Sequence, residues 1–234
     1  MRVQLEVAYV VLCAEYHTEP AAAFRTVLSN TYAAPGGEVF IDASSIEGDH
    51  FCVFAELLRR LLNQPNAFIG PTVVSDRTLF SLPIPSLMPQ PSGEGDDHVY
   101  YAIPPRLLRL KLKLSRNINN ADIERICGLM AVQKELSCLP VAIPRGRLLL
   151  ERGETTGTLV QLTWPEMAVI ECVDLCDSVF VSLSGGRALR AAARRNVYLL
   201  NVFLNGCSVN RAVVEQIGAA TSQNRRRFCA MCAA

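Results

Sequence analysis

The stretch Leu107-Leu108-Arg109-Leu110-Lys111-Leu112-Lys113-Leu114 decides the fold. Leucines at 108, 110, 112 and 114 alternate with cations at 109, 111 and 113. A period of two marks a β-strand with one buried face and one face in water. A few residues later the period changes. Ile123, Ile126, Cys127 and Met130 recur at i, i+3, i+4 and i+7. Asn119 or Asn120 caps this helix, and Asp122 and Glu124 suit its positive end. A strand and a helix that are each apolar on one side need other elements to cover them. The pair predicts an α+β fold of mixed sheets with packed helices.

Downstream, Val141–Ile143, Arg147–Glu151 and Thr158–Thr163 read as strands, joined by turns at Pro144-Arg145-Gly146 and Arg152-Gly153. Met167–Val173 and Val179–Ser182 are further apolar runs, and Val197–Leu204 is another. Arg187–Arg195 and Val209–Ala219 read as helices. Residues 106–220 thus form a larger C-terminal α+β part, an oligomerisation domain in this reading, and residues 221–234 a basic, Cys-containing tail. Upstream, Val3–Leu12 reads as a buried strand on its valines and Tyr9. Thr18 caps a helix with Phe24, Val27 and Leu28 on one face, stopped by Pro35-Gly36-Gly37. Val39–Ile41 is a short strand, and Asp49 caps a helix with Phe51, Phe54, Leu57, Leu58, Leu61 and Leu62 at 3.6 spacing. Residues 1–64 therefore predict an N-terminal β-α-β-α unit. Residues 65–105 hold eight of the 13 prolines and read as a Pro-rich excursion or linker.

Composition narrows the class. The chain has 234 residues, half of them hydrophobic, with 23 Lys+Arg against 22 Asp+Glu. A chain of this size buries roughly 72% of its extended surface, enough for a core without disulfide or metal staples. The near-zero balance argues against a dedicated nucleic-acid binder, and no sequence-specific nucleic acid is expected as a partner. No run of 18 apolar residues occurs, and Arg2, Gln4 and Glu6 interrupt the first segment. Neither a transmembrane helix nor a signal peptide is expected, and the compartment reads as cytoplasmic or nuclear. Nine cysteines, an odd number set mostly in apolar segments, read as reduced thiols with no metal and no cofactor.

Four features invite a chemical reading. Val179 to Leu189 reads as a strand running into Ser184-Gly185-Gly186 and a helix, a pattern able to cradle a phosphate with Arg187 beside it. It resembles the strand–Ser-Gly-Gly–helix turn of sugar-phosphate isomerases, and an ordinary βα turn is the stronger reading. Arg106, Arg109, Lys111, Lys113 and Arg116 form a basic stripe, read first as the solvated face of an amphipathic strand. Cys229-Ala230-Met231-Cys232 has zinc or redox spacing but lacks two further ligands. His17, His50 and His98 have no orienting partner in sequence and read as surface or capping residues.

The order of elements in Arg106–Leu114, Asn120–Gln133, Ile143–Leu150 and Asn196–Gly206 resembles the dimer-forming subunit of the herpesvirus capsid triplex. The resemblance is one of pattern and covers about half the chain. It implies a non-enzymatic structural protein of the virion and host nucleus. Such a protein pairs with itself and clamps neighbouring capsid-type subunits. A mean hydropathy of +0.21 agrees with buried interfaces. Val197, Leu200, Phe203, Leu204, Val213 and Ile217 are the interface candidates.

Overall fold

A computed structural model describes residues 3–69, 72–75, 98–103, 105–131, 139–144, 159–162 and 166–233. The chain is α+β, with helices packed on a four-stranded sheet. It divides into two compact units that are discontinuous in sequence. The first comprises Met1–Ile69, Leu107–Lys134 and Ala168–Ala234, and the second Gly70–Arg106 and Glu135–Met167. This division replaces the expected partition at residues 64, 105 and 220.

The first unit opens with α1 (Leu5–Glu15) and α2 (Ala22–Ser29). Here the expected strand over Val3–Leu12 gives way to a helix, and the N-terminal order is α-α-β-α. Leu5, Tyr9, Leu12 and Cys13 are buried at i, i+4, i+7 and i+8, a helical stripe, while Val7 and Val11 face outward. Tertiary burial outweighs the β preference of the valines. Tyr9 meets Phe24 edge-on at 5.1 Å, and Phe24 meets Phe54 at 5.5 Å. These contacts tie α1 and α2 to α3 (Asp49–Asn63), which follows β1 (Glu38–Ala43). Asp49 is the first helical residue of α3, and Gly48, at φ 54°, occupies the cap position expected for Asp49.

The sheet order is β1, β4 (Arg106–Leu114), β7 (Glu166–Asp174) and β8 (Asn201–Phe203). β1 pairs with β4 in parallel, Val39 opposite Leu110, and β7 with β8 in parallel, Val173 opposite Val202. β4 and β7 also run the same way. Arg109 meets Glu171 in mid-strand, and Ser178, just past β7, donates to the carbonyl of Ser115, just past β4. Each strand leads into a helix: α3, α4 (Asn120–Leu129), α5 (Leu183–Arg195) and α6 (Arg211–Ala233). α3 packs on α4, α4 on α5 and α5 on α6, so the helices form one layer. Sequential strand order with crossovers of one hand produces this arrangement. Leu108, Leu110, Leu112 and Leu114 enter the core beneath that layer, as their alternation predicts.

Two further readings change. Val179 and Phe180 form a turn, not a strand, and Ser184-Gly185-Gly186 lies inside the first turn of α5. Residues 221–233 are no tail: they continue α6, with Thr221 and Asn224 buried.

In the second unit, β2 (Thr72–Ser75) pairs antiparallel with β6 (Leu159–Leu162), and β3 (His98–Ile103) antiparallel with β5 (Leu139–Pro144). The expected strands at 141–143 and 158–163 match β5 and β6. Arg147–Glu151, Pro83–Asp97 and Cys138 lie outside the described residues.

Candidate functional site

In an open parallel sheet, ligands bind beyond the carboxyl ends of the strands. At that end of the first unit the loops bond to one another. Ser115 Oγ and Asn117 Nδ2 both donate to Glu47 Oε1, at 3.0 and 2.8 Å. The amides of Ser182 and Gly185 both donate to Asn120 Oδ1, at 2.9 and 3.0 Å, and Asn120 Nδ2 donates to Ser182 Oγ at 2.8 Å. Ser184 Oγ donates to Glu124 Oε1 at 2.9 Å. Of the donors that a phosphate at Ser184-Gly185-Gly186 would use, the Gly185 amide and the Ser184 hydroxyl are thus engaged by α4 and the Gly186 amide by Ser182 O at 2.9 Å, and a carboxylate stands beside them. The two glycines have a packing role. A Cβ at Gly185 would lie 2.7 Å from Asn120 Oδ1, and one at Gly186 2.6 Å from Val209 Cγ1. They let α4 and α6 approach α5.

The basic stripe of β4 is neutralised by its neighbours. Arg109 reaches Glu38 at 2.9 Å and Glu171 at 3.2 Å, and Lys111 reaches Glu38 at 2.9 Å. Lys113 reaches Asp42 at 3.3 Å, and in the second unit Arg106 stands 3.8 Å from Glu166. The hydrogen bond from Lys111 holds the Glu38 carboxyl below its ordinary range. Parallel sheets are usually covered on both faces; here the face of β1 and β4 turned away from α3 to α6 carries this ladder of ion pairs.

The interface candidates separate. Leu200, Leu204, Val213 and Ile217 are buried in the chain's own core or just beneath its surface, Val197 is half-buried, and only Phe203 is well exposed. The four buried residues are withdrawn as contact residues, because α6 packs through Val213 and Ile217 against the rest of the unit. The loop between β7 and α5 carries what the sequence missed. Val179, Phe180 and Leu183 are 55%, 59% and 39% exposed. Their backbone is fixed: Val179 O accepts from Ser208 Oγ at 2.9 Å, the Val181 amide donates to Ser178 O at 3.1 Å, and the Val181 side chain is buried.

Two buried asparagines also escaped the sequence reading. Asn196 Nδ2 donates to Met130 O at the end of α4, and its Oδ1 accepts from the Tyr198 amide. Asn224 Nδ2 faces Ala193 O, Asn196 O and Leu199 O. Together they fasten the ends of α4 and α5 to each other and to the interior of α6. A polar residue within a helix carries no sequence signal for this role.

Among the described residues, no group of three or more His, Cys, Asp or Glu is placed to hold a metal ion. Cys13, Cys52, Cys127, Cys172, Cys176, Cys207 and Cys229 are free thiols. His50 Nδ1 lies 3.4 Å from the Tyr9 hydroxyl, and His17 is exposed at φ 53°. No described helix is long and apolar enough to cross a membrane. No family model matches the chain, and neither a curated protein nor a solved structure matches it.

Proposed function

We propose that the chain is a non-enzymatic assembly subunit, a capsid-triplex-like protein that binds a second copy of itself and then neighbouring capsid-type subunits. On this reading it works in the virion and the host nucleus. The observation that supports binding over catalysis is the loop of Val179 and Phe180 with Leu183 at the start of α5. Three large apolar side chains stand exposed within five residues, on a backbone fixed by its own hydrogen bonds. Rigid, exposed apolar anchors are what a protein interface buries at its centre, and preorganisation lowers the entropic cost of docking.

Covering the exposed part of Phe180 contributes about 1.5 kcal/mol, and a two-fold interface uses it twice. Phe180→Asp removes that contribution and places a charge in the contact. The test is the mass in solution by light scattering, from 1 to 100 micromolar. The parent is expected to dimerise with rising concentration. Phe180→Asp is expected to remain monomeric with an unchanged melting curve. A parent that stays monomeric throughout the range overturns the self-association reading.

A further inference from the structure

Residues 183–233 contain eight arginines, no lysine and one carboxylate, Glu215. That is +7 in a chain whose total is +1, so the remainder carries −6. The fold concentrates this charge. α5 ends with Arg194 and Arg195. Asn224 fixes α6 against that end through Ala193 O at 2.8 Å and Asn196 O at 2.9 Å, and Arg225, Arg226 and Arg227 follow at once. All five arginines are exposed, and among the described residues none of them forms an ion pair. Arg225 bonds only to the neutral Asn201 Oδ1 and Ser222 Oγ.

The same chain neutralises its other basic cluster. Every described cation along β4 from Arg106 to Lys113 faces a carboxylate. The negative end of α5 favours Arg194 and Arg195. It does not account for Arg225, Arg226 and Arg227, which begin more than a turn before the end of α6. Like charges held together without acids repel, and the arrangement is stable only at a cost that a bound polyanion removes.

We propose that this arginine cluster docks the phosphodiester backbone of nucleic acid, gripping phosphates without reading bases. The guanidinium fork bonds phosphate oxygens in pairs, which a lysine cannot do. Between the arginines stand Ala193, Asn196 and Asn224, all buried. These buried residues leave the guanidinium groups as the exposed groups between the two helix segments, and the nearest exposed apolar side chains, Phe203 and Met231, stand beside the arginines rather than between them. Phe228, which follows Arg227, is half-buried and edge-on to Tyr198 at 6.3 Å, so its ring is not presented for base stacking.

The experiment is fluorescence anisotropy of a mixed-sequence 24-base-pair duplex with the full chain at 50 and 200 mM NaCl. Five phosphate contacts give a log–log salt slope of about −4.5, so affinity falls about 500-fold over that fourfold rise in salt. The triple variant Arg225→Gln, Arg226→Gln, Arg227→Gln is expected to lower the slope by about 3 and to weaken binding at least tenfold at 50 mM, roughly one slope step per contact. Arg194→Gln with Arg195→Gln tests the same surface from the other helix, should the triple variant melt early. Arg59→Gln on α3 is expected to leave binding unchanged. Absence of binding at 50 mM, or an unchanged slope in folded variants from both helices, overturns the proposal. Binding of poly-glutamate as tight as that of the duplex overturns it in favour of an acidic protein partner.

Discussion

Asn224→Leu is expected to destabilise the first unit by about 3 kcal/mol. The side chain is 3% exposed, and its Nδ2 lies 2.8, 2.9 and 2.9 Å from Ala193 O, Asn196 O and Leu199 O. The last carbonyls of a helix have no partner within it, and Ala193 and Asn196 belong to the end of α5. Leucine nearly matches asparagine in size but donates nothing. Two N–H groups serve three acceptors, so about two acceptors are left buried without a donor, at roughly 2 kcal/mol each. The extra apolar surface of leucine offsets part of this, by about 1 kcal/mol. At 2–4 °C per kcal/mol for a chain of this length, the melting point falls by roughly 6–12 °C. Asn224→Asp is expected to be worse, because it turns a carboxylate toward three carbonyl oxygens. Urea unfolding measures the free energy. Hydrogen exchange over residues 183–199 and 211–233 separates loss in this unit from events in the other. A leucine variant within about 1 kcal/mol of the parent, with unchanged protection of both helices, would falsify the claim that this amide fastens α6.

Three further outcomes follow from the same contacts. Gly186→Val places a Cβ 2.6 Å from Val209 Cγ1 and should cost about 2–3 kcal/mol by urea unfolding. Calorimetry should detect no sugar-phosphate binding in either protein, and micromolar binding by the parent that is lost in a folded variant contradicts the packing role. Burial pushes the Glu166 carboxyl up to about 7, against the nearby Arg106, which pulls it down. The folded state therefore favours the protonated acid, and stability falls as pH rises from about 4.3 to about 7, by up to roughly 3 kcal/mol. Glu166→Gln should match the parent near pH 4 and exceed it above pH 7; a pH-independent difference in unfolding free energy sinks this assignment. Burial also pushes the Cys127 and Cys172 thiols up to about 12 and about 11. Iodoacetamide at pH 8 should label exposed Cys229 at least tenfold faster than either, by peptide mass spectrometry, and equal rates contradict their inertness.

Where one physical term dominates, the sequence is readable. β4 alternates because one face meets the helix layer and the other meets water, and its four buried leucines are the ones the period selects. α4 begins where Asn119 accepts from the Ala121 and Asp122 amides and Asp122 returns a bond to Asn119, a capping box visible as residue types in the chain. Alternation does not record strand direction, however, and an alternating strand is commoner in antiparallel sheets than in the parallel one found. α1 was misread because Val7, Val10 and Val11 favour strand. Its helical period lies in Leu5, Tyr9, Leu12 and Cys13, and only packing against α2 and α3 reveals which set is inside. The discontinuity of the two units was hidden for a related reason, since composition marks the Pro-rich stretch but not the return of residues 135–167 to the same unit.

The pattern that locates the core does not by itself separate core from contact residues. A dense apolar segment from Val197 to Ile217 reads as surplus that a partner must cover, yet a single layer of helices over a four-stranded sheet consumes it: Leu200, Leu204, Val213 and Ile217 are all inside. The surplus lies instead where the apolar run is short. Val179 and Phe180 read as strand residues, and a strand directs successive side chains to opposite faces. The turn that replaces it begins after Asp177, at φ 63°, whose carboxylate and backbone crowd against Gly206, also at positive φ. That geometry closes the carboxyl end of the sheet and directs Val179 and Phe180 outward together. A small-molecule site at this end would need open donors and a recess. What stands there is bonded loop–loop contact with an apolar crest upon it, which supports recognition of another macromolecular surface over chemistry on a substrate.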